Sequence, residues 1–134
     1  MKGWKAESAT GRFPVESVLH RQLSERFVDA CTSGDLERLL EVLDPTVAGT
    51  GDILPGVLVG APVAGPGILR YLGPPASPTL LHLPVGDRVG IVALRGRRVL
   101  ALVLLKVDNG LVVHVDALAG EGPRAAVSAV LGLH

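Results

Sequence analysis

The residues with the most chemical capacity are His114 and Asp116, in the run Leu111-Val112-Val113-His114-Val115-Asp116. Two positions apart on an extended strand, their side chains leave on the same side. On a pocket wall such a pair can serve as general base and acid, the carboxylate tuning the imidazole. On a solvated or interface face the same pair is an ordinary polar contact. His82, between Leu81 and Leu83, is a candidate third member. A His-His-Asp set has the donor types of a metal site. The spacing is not that of a metal motif, however, and no metal or other cofactor is expected. Asp52 is the one charged residue of the stretch 46–67 and a further candidate carboxylate. Tyr71, the only tyrosine, could orient a ligand oxygen or simply pack. Cys31 is the only cysteine, so no intramolecular disulfide can form. It falls on an apolar stripe and reads as an inert core residue. Arg95, Arg97 and Arg98 read as a solvated hairpin tip, with too few charges for an anion site.

The elements that must position these groups follow from periodicity. Leu19, Leu23, Phe27 and Cys31 recur at four-residue steps from Val15 onward, the stripe of an amphipathic helix. Gly34 terminates it and Asp35 can cap a second helix, with Leu36, Leu39, Leu40 and Leu43 buried and Pro45 as its stop. Thr46–Thr50 reads as a short strand. A Gly/Pro-rich irregular segment follows to residue 67, and Ile68–Leu72 reads as a helical turn. From Thr79 the pattern is β: the runs 79–85, 88–95, 98–107 and 111–119 are separated by Gly86-Asp87, Gly96-Arg97 and Asn109-Gly110, the last a strong hairpin signal. Val99–Leu105 is apolar on both faces, so both need a cover. Helices can supply one. A partner subunit or the curled sheet must supply the other, and a homodimer is expected on that ground.

Composition sets the outer limits. The chain has 134 residues, 13 basic and 13 acidic, with 48% apolar and 3% aromatic content. That is one domain with an ample core. Zero net charge disfavours a nucleic-acid surface. The longest apolar run is far too short to span a bilayer and the N-terminus has no secretory h-region, so a cytoplasmic protein without membrane contact is expected.

Phe27-Val28-Asp29-Ala30, Ser33-Gly34-Asp35-Leu36, Leu39-Leu40 and Leu43-Asp44-Pro45-Thr46-Val47 together resemble the opening of the nuclear-transport-factor-two-like superfamily. Its members include the SnoaL-like polyketide cyclases and the ketosteroid isomerases. The helix–Gly-Asp-Leu–helix–Asp-Pro order is especially similar to the C-terminal SnoaL-like domain of some actinobacterial extracytoplasmic-function sigma factors. Val63–Leu72 lies where the family places its third helix, and Gly110–Glu121 resembles the last strand of ketosteroid isomerases. The resemblance spans residues 17–121. It implies an α+β fold: a cone-shaped α+β barrel in which an N-terminal helical hairpin packs on a strongly curved antiparallel sheet around an apolar pocket. An arm would precede it (residues 1–14), residues 15–121 would form the cone domain, and residues 122–134 a tail.

Ketosteroid isomerases use an aspartate base with a tyrosine and a protonated aspartic acid as oxyanion hole. Carried over by the resemblance, the tyrosine falls on Phe27, the base on Gly49, and the second acid on Leu102 or Val103, depending on the gap. All three roles are vacant, and Asp52, near Gly49, is the carboxylate that a shifted loop could bring in. Departures from the sigma-factor pattern occur at Gly51-Asp52-Ile53-Leu54 and at Gly120-Glu121-Gly122-Pro123-Arg124. The expected function is therefore a stand-alone SnoaL-like domain that binds a small apolar ligand in the cone, lined by Phe27, Tyr71, His82 and Val103. One alternative is a cyclase, isomerase or epoxide-hydrolase-type enzyme using Asp52, His114 and Asp116. Another is a regulatory or assembly module acting through its sheet face.

Overall fold

The structure, a computed structural model, describes residues 12–52 and 56–133. Residues 1–11 of the expected arm and His134 lie outside the described residues, while 12–14 already belong to the first helix. That helix, α1 (Arg12–Ser33), buries Leu23, Phe27, Ala30 and Cys31. Leu19, on the same stripe, is 57% exposed. Gly34 turns the chain at φ +69°. Asp35 then caps α2 (Leu36–Val42), accepting the Arg38 N–H at 3.2 Å.

α2 stops before Pro45, and β1 runs Leu43–Gly51, longer than the Thr46–Thr50 strand read from sequence. Leu43 pairs with Val112, and the register shifts before Ala48, which leaves Pro45 exposed in the irregularity. Asp44 Oδ1 accepts the Thr46 hydroxyl at 2.7 Å and its N–H at 2.8 Å. Those two donors hold the Asp44 carboxyl below its ordinary range. β2 (Leu58–Val59) and α3 (Ala61–Leu72) follow.

α3 corrects the expectation of a helical turn limited to 68–72. Pro62 lies in its first turn, where a missing N–H costs nothing. Gly65 sits in a tight approach to α2: a Cβ there would lie 3.0 Å from Leu36 Cδ1 and 3.1 Å from Leu40 Cδ2. The glycine that looked like a helix breaker lets α3 approach α2.

The strands β3 (Thr79–Val85), β4 (Arg88–Arg95), β5 (Arg98–Asp108) and β6 (Leu111–Leu118) form the expected antiparallel meander. Asn109 and Gly110 take φ +53° and +76°, the two positive values that a tight hairpin turn requires. β1 joins β6 in parallel, so the curved six-stranded sheet, in the order β2-β1-β6-β5-β4-β3, is mixed and unclosed. Its inner face carries Ile91, Ala101, Val103, Leu105, Val115 and Ala117 against Phe27 of α1, Leu39 of α2 and Ile68 of α3.

The outer face answers the question posed by the doubly apolar strand. Residues 122–134, expected as a tail, supply most of α4 (Glu121–Leu131). Val127, Leu131 and Leu133 pack on Val92, Leu94, Val99 and Leu102. The second cover of Val99–Leu105 is thus the chain's own last helix, so the apolar argument for a partner subunit there is met within the chain. Among the described residues no helix is long and apolar enough to cross a membrane.

Candidate functional site

The sheet sorts the candidate residues by face. His114 is paired with Lys106 and Asp116 with Leu104, on the outer side. Thr50, from the parallel neighbour β1, lies beside them. Its Oγ donates to Asp116 Oδ1 at 3.2 Å and stands 2.9 Å from His114 Nε2. A hydroxyl has a single proton, and an ionised carboxylate only accepts. Thr50 thus bridges the two side chains, and which partner donates at its contact with His114 follows the ring's tautomer. The His114–Asp116 pair is therefore real in space but bridged, and the bridging Thr50 had no signal in the sequence.

His82 does not join them. It pairs with Ile91 on β4, an inner-face residue, and its Nδ1 lies 2.8 Å from Ser24 Oγ on α1. Ser24 is 1% exposed, a buried hydroxyl satisfied by this contact. Ser24 had no signal in the sequence, because a serine on an apolar helix stripe carries no distinguishing pattern. So deep a hydroxyl is out of reach of a substrate, and the pair acts as a clasp between α1 and β3.

Desolvation, then the positive charge of Arg21, lowers the pKa of His82 below 6.5; Glu25 opposes the shift and His20 adds to it. The folded chain therefore resists a proton that the unfolded chain accepts. The stability this confers is full above about 6.5 and is lost as pH falls toward the lowered folded value. Urea unfolding between pH 7.5 and 5 should show the wild type losing stability relative to His82→Gln on acidification. Parallel curves for the two proteins would remove this role.

Asp52 donates its N–H to Ala117 O at 3.1 Å, and its Oδ2 accepts the Ala119 N–H at 3.2 Å. Its carboxylate thus holds the junction of β6 and α4. Phe27 is 0% and Val103 1% exposed, both in the inner core, and Gly49 is buried opposite Val115. Leu102, the other candidate for the second acid position, faces outward under α4. Cys31 is buried and its thiol is pushed up to about 12, which makes it inert. Tyr71 is partly exposed on α3. Among the described residues no three His, Cys, Asp or Glu side chains cluster closely enough to hold a metal ion.

A groove of about 830 Å³ lies between α1 and the β5–β6 hairpin. Leu19, Leu23 and Val107 are its apolar residues, and His20, Gln22, Glu25, Arg26, Asp29, Asp108 and Asn109 make the rest of its lining polar. None of the predicted site residues lines it.

No protein-family model matches the chain. It is 37% identical over 119 residues to the probable ECF RNA polymerase sigma factor SigI of Mycobacterium tuberculosis, covering 88% of this chain and 41% of that protein. The chain thus spans well under half the length of that relative. Among solved structures, a SnoaL-like protein of unknown function from Burkholderia thailandensis matches with a TM-score of 0.60 at 20% identity, over 75% of this chain and 93% of the other. An NTF-2 like protein of unknown function from Burkholderia xenovorans matches with a TM-score of 0.59 at 16% identity, over 76% and 83%. The chain has the nuclear-transport-factor-two-like fold. A shared fold does not carry a shared reaction. In this chain, the positions to which the resemblance assigns acid and base lie on the inner side as Phe27, Gly49 and Val103, with no titratable group among them.

Proposed function

We propose that this chain is a SnoaL-like domain that binds a small apolar ligand without itself transforming it. The observation that carries this reading is the groove at α1 and the β5–β6 hairpin, apolar at Leu19, Leu23 and Val107 and open at its polar rim. Its size is in the range of small-molecule sites. The acid–base candidates His114 and Asp116 stand on the opposite face of the sheet, which argues for binding over catalysis. A neutral solvatochromic dye tests it: Nile red should bind the wild type with blue-shifted emission. Leu19→Glu, at an exposed position that tolerates charge, should weaken that binding about tenfold, or about 1.4 kcal/mol. Equal binding by both proteins would overturn the reading.

A regulatory role is the second reading, favoured by the 37% identity to part of a sigma factor. In that setting the ligand would be a signal, read out through the sheet face to a partner. A homodimer belongs to the same proposal, and it would use the strip beside α4 at Lys106, His114 and Asp116.

A further inference from the structure

The outer face carries a second concavity that the sequence did not announce. Between α4 and the β4–β5 turn lies a groove of about 410 Å³, lined by Arg97, Arg98, Val99, Glu121, Arg124 and Ser128. Read as sequence, the arginines at 95, 97 and 98 form only a solvated tip. The fold separates them. Arg95 Nη2 donates to Ala76 O at 2.7 Å and is drawn away, while Arg97 and Arg98 share the groove with Arg124 from α4. Arg124 is anchored: its Nε donates to Ala119 O at 2.8 Å, leaving both terminal nitrogens for other partners. Among the described residues none of the three guanidiniums has a carboxylate oxygen within 4.0 Å.

The helix side of the groove is one stripe. Glu121, Arg124, Ala125 and Ser128 recur at three- and four-residue steps, so they share a face. Ala125 is small, which leaves space between the arginine of the helix and those of the turn. Buried Val99 forms part of the floor. Three guanidiniums therefore meet one carboxylate and one hydroxyl around an open space. Each guanidinium is a planar fork suited to two oxygens of a phosphate or carboxylate. A single carboxylate would engage one fork. Adjacent phosphates offer enough oxygens and charge for all three.

We propose that this groove binds the pyrophosphate group of a small molecule. The site is independent of the α1 groove, since it lies on the opposite face of the sheet. Glu121 opposes the ligand electrostatically and sets its affinity.

Titration of the full chain with inorganic pyrophosphate, followed by calorimetry and amide chemical shifts, tests this. Shifts should localise to residues 97–99 and 121–128. Arg124→Ala should weaken binding about tenfold, and Arg98→Ala by a similar factor. Glu121→Gln should tighten it about threefold, a gain that loss of structure cannot mimic. Circular dichroism confirms that the variants fold, which is expected because these side chains are exposed or half-buried. Pyrophosphate binding that is unaffected by Arg98→Ala and Arg124→Ala would overturn the proposal. So would shifts scattered over all arginines. Tighter retention on phosphatidic acid vesicles than binding of free pyrophosphate would overturn it in favour of a membrane surface.

Discussion

Replacing Val127 with aspartate should cost about 3 kcal/mol of stability and make the protein self-associate. Val127 is 4% exposed at the centre of the contact between α4 and the outer sheet face. The substitution removes the transfer energy of a buried valine, about 1.5–3 kcal/mol, and adds the penalty of an unpaired carboxylate. The chain's cheapest relief is to undock α4. Undocking uncovers Val92, Leu94, Val99 and Leu102 as one contiguous apolar patch, the kind of surface that recruits another protein. Urea unfolding should register the loss, and sedimentation velocity a concentration-dependent rise in mass above that of the wild type. Val130→Asp is the control. It lies on the same helix but is 70% exposed, and it should change stability by no more than about 0.5 kcal/mol. A Val127→Asp protein as stable and as dispersed as the control would mean that α4 does not cover the sheet in solution.

The same contact shows what a sequence can and cannot say. That Val99–Leu105 needs two covers was legible, because a strand apolar on both faces has no other stable environment. Which element supplies the second cover was not: a glycine and a proline in the first turn of α4 let the sequence suggest only a Gly-broken tail or a short helix, with no sign of where it packs. α1 and α2 were legible from Leu23, Phe27 and Leu39, whose spacing matches a helical stripe, although Leu36, expected buried on that stripe, is 37% exposed. The β meander was legible because each of its three turns carries a glycine. α3 was misread because Gly65, Pro66 and Gly67 break helices by propensity, and the packing of Gly65 against α2 is tertiary. At the candidate sites, strand alternation placed His114 beside Asp116 correctly. It could not assign the face, because that depends on what packs where. Ser24 and Thr50 were invisible for a simpler reason: a hydroxyl's role is set by its neighbour across the fold.

Phe27→Ala tests whether the inner side of the NTF2-like fold is filled at its base. Phe27 is fully buried beside inner-face strands whose residues are themselves closed to solvent. If those neighbours press on its ring, truncation leaves a cavity that a rigid sheet cannot close, and the cost should be about 3–5 kcal/mol by urea unfolding. A loss below about 1 kcal/mol would show that the ring already borders empty space, so that a ligand could reach it. Phe27→Tyr completes the test, because it places a phenol where the ketosteroid isomerase resemblance calls for one. Phe27 is 0% exposed, so the added hydroxyl would be buried, and a buried donor without a partner costs about 1–3 kcal/mol. Full stability in Phe27→Tyr would require an acceptor or water beside residue 27, and the inner side would then be polar enough for chemistry. The expected penalty would mean that a phenol at position 27 finds no partner, so the oxyanion arrangement that the resemblance implies does not form there.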